Sequence, residues 1–347
     1  MKLHFAIPGD IDTPTGGYIY DRTVMSRLPN EGVEVSHVAL PSGFPLPSAE
    51  ELAETAQILA AVPSDSVLLI DGLAFGALPD EVLDGVTAPI VVILHHPLGL
   101  ETGLDPEVSH DLLASEKAAL QHARHIIVTS PSIAEALPKL FFVPPPPITV
   151  AEPGTERAPR AQGGGDRCEI ISVGSVIPRK GHDVLVEALS KLRHLDWNAK
   201  IVGSDDRDTD FAGRVRARIT ETGLEDRIAL TGAMTKDELY GHYHKADIFA
   251  LPSRYEGYGM VFAEALARGL PIVAARAGAV PGTVPREAGL LVDPDDPDAF
   301  AGVLERLITD KGLREQLAGA AWDHAQSLPR WEDTVRKIVS VIQEVQA

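Results

Sequence analysis

Two carboxylates eight positions apart, Glu256 and Glu264, flank a Gly257-Tyr258-Gly259 turn in the stretch SRYEGYGMVFAEALARG. Glu264 falls inside a short helix spelled by MVFAEALARG, in which Val261, Phe262, Ala265 and Leu266 share the buried face. It follows Gly259 by five residues, which is about 7–8 Å along a helix axis. Ionised carboxylates only accept hydrogen bonds, whereas a glycine turn entering a helix presents free backbone N–H groups. Acceptors on both sides of such donors suit a ligand with hydroxyls at each end and phosphates between, the layout of a nucleotide sugar. Taken singly, each glutamate also fits an ordinary surface acid.

Three other loops carry residues of similar interest. In VGSVIPRKGHDVL a Gly174-Ser175 turn precedes Arg179-Lys180-Gly181, which sets positive charge over a helix start. This is either a phosphate seat or a solvated basic turn. It is not a Walker loop, because no second glycine precedes the lysine and no Ser or Thr follows it. In PGDIDTPTGGYIYDR, Gly16-Gly17 precedes a helix beginning near Tyr18, so its amides either face an anion or form a plain flexible loop. The spacing is not GxGxxG, and dinucleotide binding is not indicated. In VILHHPLGLETG, His95 and His96 follow directly on an apolar strand. Adjacent side chains point apart and no further spaced ligand is evident, so a metal pair is not expected. One structural histidine and one contact to a polar ligand both remain open. The acids of SDDRD (204–208) read as a solvated loop, and the single cysteine, Cys168, reads as a buried or edge-strand thiol.

The elements that must position these loops alternate between short β-branched runs and longer helical patterns, the signature of βαβ units and parallel sheets. Strands are expected at 3–7, 33–40, 67–70, 90–94, 125–130 and 148–153 in the first half. In the second half they fall at 169–174, 199–203, 227–232, 248–252, 271–275 and 289–292. Several are apolar throughout, as in sheets covered on both faces. A stiff proline-rich approach, VPPPPI (143–148), leads to the last strand of the first half, and a Gly- and Pro-rich segment, 155–167, reads as a linker. The expectation is an α/β chain with a first domain at 1–154, a second at 168–330 and a helix at 331–347. In that helix Trp331, Val335, Ile338, Val339 and Ile342 form one stripe, which either packs in a local core or crosses back to the first domain.

The 347 residues carry a formal net charge of −19. Residues 1–150 hold 6 basic against 19 acidic side chains, and residues 151–347 hold 25 against 31. Such a surface repels phosphate backbones and anionic headgroups, so nucleic-acid partners and membrane association are not favoured. No apolar run approaches the roughly 20 residues needed to span a bilayer. The start MKLHFAIPGD has no signal-peptide pattern, which points to a cytoplasmic location.

At these loops the sequence resembles the retaining glycosyltransferases of family 4, with likeness over nearly the whole chain and strongest at 169–295. The most specific element is the E-x7-E pattern, here Glu256 and Glu264 around E-G-Y-G. The resemblance implies a GT-B fold, two Rossmann-like doubly wound domains facing across a cleft, the first on the acceptor side and the second binding the nucleotide sugar. It implies that Glu256 holds donor-sugar hydroxyls, that Gly257, Tyr258, Gly259, Met260 and Val261 present backbone groups to sugar and diphosphate, and that Glu264 accepts from the ribose. Lys180 matches the lysine aimed at the diphosphate, Gly16-Gly17 the glycine loop of the first domain, His95 the histidine facing the donor sugar, and Met234 a base contact. Two departures stand out. Ser175 occupies the place of a frequent arginine, which Arg179 or Arg254 would have to replace, and the segment Gly278-Ala279-Val280-Pro281-Gly282 lacks the family's usual acid.

The implied activity is transfer of a hexosyl group from a UDP- or GDP-linked sugar to a hydroxyl of a sugar, small molecule or glycan. Anomeric configuration would be retained by a front-face mechanism, with no cofactor and no required metal. Lys180 and Arg179 would stabilise charge on the departing diphosphate. The alternatives are a nucleotide-sugar epimerase of similar fold and a non-catalytic nucleotide-sugar-binding relative.

Overall fold

The structure, a computed structural model, describes residues 1–141 and 145–346. Part of the proline-rich stretch, residues 143 and 144, lies outside the described residues. The chain divides into two compact units, Met1–Gly154 with Pro329–Ala347, and Thr155–Leu328.

In the first unit, apolar β-branched runs form β1 (Lys2–Pro8), β2 (Glu34–Leu40), β3 (Val67–Asp71), β4 (Ile90–Leu94), β5 (His125–Val128) and β6 (Ile148–Val150). They make one sheet in the order β2-β1-β3-β4-β5-β6, and every pairing is parallel. All five residues of β3 and of β4 are buried, as strands with helices on both faces require. The helix Trp331–Gln346 completes this unit. Its stripe of Trp331, Val335, Ile338, Val339 and Ile342 is buried against the helix Gly16–Arg27, β3 and β5. Thr334 Oγ1 donates to the Glu152 carbonyl at 2.6 Å and Lys337 Nζ to that of Val150 at 2.9 Å, fixing the helix to the exit of β6.

In the second unit, β7 (Cys168–Val173), β8 (Trp197–Val202), β9 (Ile228–Leu230), β10 (Ile248–Leu251), β11 (Ile272–Ala275) and β12 (Gly289–Val292) form a parallel sheet ordered β12-β11-β10-β7-β8-β9. Its core holds Trp197, fully buried, whose indole N–H donates to the Leu192 carbonyl and whose ring lies 3.9 Å from the Arg227 guanidinium. Residues 155–167 carry no regular element, yet they belong to this unit: the Ala161 and Gln162 amides donate to the carbonyls of Arg268 and His244. Cys168 is buried, and burial pushes its thiol up to about 12, so it is inert.

Both sheets are doubly wound. Strand order reverses between β1 and β3 in the first unit and between β7 and β10 in the second. Loops leaving neighbouring strands at such a reversal diverge to opposite faces and open a crevice at the carboxyl edge. All twelve strands fall where the apolar runs place them, with ends differing by a few residues.

Candidate functional site

The reversal in the second unit juxtaposes the loop after β7 with the loop after β10. The first runs through Gly174 and Ser175 to the turn Pro178–Lys180, and Gly181 starts the helix His182–Ser190. Gly181 has φ +69°, and a Cβ there would lie 2.2 Å from the Pro252 carbonyl oxygen, so only glycine lets the basic turn close onto the end of β10. The Arg254 amide donates to the Arg179 carbonyl at 2.7 Å and clamps the two loops together.

This closure brings Lys180 and Glu256 into contact across 76 residues of sequence: Lys180 Nζ donates to Glu256 Oε1 at 2.7 Å. Ser253 Oγ donates to the same oxygen at 2.7 Å, and Arg179 Nη1 stands 3.6 Å from Oε2. Glu256 is 5% exposed. Burial alone would push its carboxyl up, but Lys180, Arg179 and Ser253 together hold it below the ordinary range, so it is ionised at neutral pH. Lys180 and Arg179 thus form a two-cation cluster around one carboxylate at the crevice. Arg254 does not add to it. Its guanidinium is spent on both oxygens of Asp183 (3.1 and 2.8 Å), on Asp295 at 2.7 Å and on the Pro178 carbonyl.

Beyond Glu256 the chain turns through Gly257, Tyr258 and Gly259 into the helix Met260–Leu266. Gly259 is left-handed, at φ +85°, and the first-turn amides of Met260 and Val261 have no acceptor within the helix. The turn is braced by 277–283: the Ala279 amide donates to the Glu256 carbonyl at 2.9 Å, and Thr283 Oγ1 to that of Tyr258 at 2.7 Å. The segment Gly278–Gly282 therefore serves as part of the buttress of the turn. Buried positions of the short helix are Phe262, Ala263, Ala265 and Leu266, whereas Val261 is only partly covered. The departure from one apolar face arises because the helix packs between β11 and a second helix, Lys311–His324.

Glu264 is part-buried and its Oε2 accepts from the Tyr243 hydroxyl at 3.2 Å. Burial raises its carboxyl above the ordinary value, with Arg268 and Tyr243 opposing. Arg268 lies 4.4 Å from the ring centroids of both Tyr240 and Tyr243 and donates to the Glu264 carbonyl. Met234 is partly buried, just before the capping residue Thr235 of the helix Lys236–Lys245.

The first unit holds its own constellation at its own reversal. Asp71 ends β3 and caps the next turn by accepting from the Leu73 amide at 2.6 Å, and His95 follows β4. Gly16 and Gly17 open the helix Gly16–Arg27, and Asp21 lies on its buried side. His95 Nε2 stands 2.9 Å from Asp21 Oδ1 and 3.6 Å from Asp71 Oδ2. A Cβ at Gly17 would lie 3.3 Å from the His95 ring, so this glycine admits the imidazole against the helix start. His96 Nε2 stands 3.8 Å from Glu101. By spacing alone, Asp21, Asp71 and His95 could surround a cation, their ligand atoms lying within 4.8 Å of one another.

Ser253, Asp21 and Asp71 were not singled out by their spacing in sequence. A signal was present for Asp71, a carboxylate ending an otherwise wholly apolar strand, and for Asp21, which follows the glycine pair within one helical turn.

Two doubly wound units with this connectivity define the GT-B fold class. Sucrose-phosphate synthase from Thermosynechococcus elongatus superposes with a TM-score of 0.85 at 22% identity, covering 99% of this chain and 98% of that one. HepE of Anabaena, in complex with UDP and glucose, superposes with a TM-score of 0.76 at 18% identity, covering 99% and 100%. Residues 156–323 match the family model described as glycosyl transferases group 1. A stretch of 245 residues is 32% identical to D-inositol 3-phosphate glycosyltransferase of Acidothermus cellulolyticus, covering 65% of this chain and 54% of that one. A stretch of 187 residues is 30% identical to GDP-mannose-dependent alpha-(1-6)-phosphatidylinositol monomannoside mannosyltransferase of Mycobacterium tuberculosis, covering 51% and 48%. The chain thus spans about half the length of the curated relatives it matches. Among the described residues, no helix is long and apolar enough to cross a membrane.

Proposed function

We propose that the chain is a retaining glycosyltransferase that moves a hexosyl group from a nucleoside-diphosphate sugar to an acceptor hydroxyl without a metal ion. The observation that carries this reading is the Lys180–Glu256–Arg179 cluster at the strand-order reversal of the second unit, one turn away from the first-turn amides of Met260 and Val261. The match of this unit to glycosyl transferases group 1 and the transferase names of its relatives support it.

In this reading Glu256, ionised and aimed by Ser253, accepts from hydroxyls of the donor sugar. Lys180 and Arg179 supply the positive charge on which the diphosphate rests, and charge grows on that group as the anomeric bond breaks. Arg179, not Arg254, takes the part of the arginine replaced by Ser175, because Arg179 stands beside Glu256 at the crevice while Arg254 is bound by Asp183 and Asp295. Glu264, steadied by Tyr243 and Arg268, accepts from the ribose, and Met234 borders the base. The leaving phosphate oxygen takes the proton of the incoming hydroxyl, and no protein base is assigned.

Incubation with a panel of UDP- and GDP-sugars tests this. The expected result is slow release of free nucleotide from one donor, accelerated by the matching acceptor, in the presence of EDTA. An intact nucleotide carrying an epimerised sugar, or binding without turnover across all donors and acceptors, would overturn it.

A further inference from the structure

The cluster in the first unit has more acid than its neighbours can neutralise. Asp21 is fully buried and Asp71 nearly so, and among the described residues the only ion-pairing partner of either carboxyl is His95. The adjacent Arg22 turns its guanidinium to the carbonyls of Ile11 and Thr13 instead. The two carboxyls converge on the one His95 nitrogen, with an oxygen of each within 4.8 Å of the other, yet among the described residues no donor faces Asp21 Oδ2, and one oxygen of Asp71 is already taken by the Leu73 amide. Two ionised carboxylates cannot share so dry a space unscreened.

One proton resolves both the repulsion and the unpartnered oxygen, provided it sits between the carboxyls. It could sit instead on the imidazole, giving a cation between two anions, but the ring turns only one nitrogen, Nε2, toward them. Among the described residues Nδ1 has no acceptor that a second N–H would need, and the His95 side chain is 20% exposed. A zinc ion is disfavoured by the 2.9 Å between Nε2 and Asp21 Oδ1, which is a hydrogen-bond length. Ligands at about 2.0–2.1 Å in a tetrahedron would stand farther apart.

We propose that Asp21 and Asp71 share a single proton and act as positioning residues that hold His95 as the neutral imidazole protonated on Nε2, so that Nδ1 is offered as a hydrogen-bond acceptor. Any group meeting Nδ1 must then donate, as a sugar or polyol hydroxyl does. Burial acts in the same direction, raising Asp21 to about 7 and Asp71 well above the usual carboxylate range while lowering His95. The protonation pattern stands independently of the proposed transfer reaction; only its use in turnover rests on that reading.

The test is nitrogen-15 NMR of the histidine-labelled full chain near neutral pH, with the His95 signals assigned by their loss in His95→Gln. The expected pattern is a proton on Nε2 and a bare Nδ1. Asp21→Asn should keep it, because the amide oxygen accepts from Nε2–H and the amide N–H donates to Asp71 where the shared proton lay. Asp21→Leu should lose it. Turnover with the donor that the panel identifies should fall roughly 10–100-fold in Asp21→Leu, with most of the loss restored by Asp21→Asn. A doubly protonated or Nδ1-protonated His95 in the wild type, the unchanged pattern in Asp21→Leu, or stoichiometric zinc uptake abolished by His95→Gln would each overturn the proposal. Were every donor inert while the NMR pattern held, the proposed function would fail and the positioning of His95 would stand.

Discussion

A substitution at Glu256 can separate two effects: its buried carboxylate pairs with the part-buried Lys180, and in the proposed reading it offers oxygens to the donor sugar. Removing one partner of a buried ion pair costs about 3–5 kcal/mol when nothing replaces it. In Glu256→Gln the amide oxygen still accepts from Lys180 and Ser253, so the folded state should survive with a modestly lowered melting temperature. The amide nitrogen, however, donates where the carboxylate accepted. Turnover should therefore drop by roughly 10²–10³-fold, the size of an electrostatic contact made at the reacting centre. Thermal melting and nucleotide release measured on one preparation check both halves. Glu264→Ala should act differently. It removes one acceptor at the edge of the site and leaves Tyr243 and Arg268 packed on each other, so nucleotide affinity should fall about tenfold, or ~1.4 kcal/mol. Calorimetric titration with UDP and GDP measures it. Full activity in both variants would mean the crevice is not the donor site.

At the scale of elements, central strands such as β4, β10 and β11 were legible because each is a short apolar run buried throughout, and burial on both faces leaves no other pattern open. The ion pair was not. Lys180 and Glu256 meet only because β7 and β10 are neighbours at the reversal, and alternation of strands and helices says nothing about strand order. Asp21 and Asp71 were hidden for the same reason, since a helix and a strand about fifty residues apart must first be brought together. Local chemistry, such as Gly259 entering a helix or the basic turn before Gly181, was readable because it depends on adjacent residues alone.

Glu116 shows a further element-level dependence. It sits on the helix Pro106–Ala119, and its carboxyl accepts from the Leu98 amide in the loop after β4. Burial raises it to about 8. An acid whose folded value exceeds its unfolded value of 4.5 binds more protons when folded, so its contribution to stability is full below pH 4.5 and declines as pH rises toward 8. His182 opposes this, since burial lowers it to about 3 and its contribution is lost as pH falls below 6.5. The decisive quantity is therefore a difference between variants. Glu116→Gln keeps an acceptor for Leu98 and removes the titration, so it should gain stability relative to wild type between pH 5 and 8.5, by up to several kcal/mol. A denaturation series across that range would show parallel curves if Glu116 were not protonated in the folded state.

At the scale of the molecule, the chain order and the cores do not coincide. The second unit is continuous, Thr155–Leu328, and owns its sheet, its Trp197 core and the whole Lys180–Glu256 cluster. The first unit is discontinuous: residues 1–154 supply the sheet, but the helix 331–346 covers part of it with seven buried side chains, from Trp331 to Ile342. Trp331 meets Tyr20 edge-on with centroids 5.6 Å apart, and a Cβ at Gly154 would collide with the Trp331 backbone, so this fit leaves no slack. A fragment of residues 155–328 should fold alone, melt cooperatively and retain nucleotide binding. A fragment of residues 1–154 should not, because it exposes the apolar surface that Val335, Ile338 and Ile342 bury, a patch of the kind that drives aggregation. Adding a peptide of residues 329–347 in trans should recover its solubility and protection from proteolysis, with Ile338→Asp in the peptide abolishing the rescue. A soluble, cooperatively melting 1–154 fragment would show that the terminal helix decorates the first unit and does not complete it.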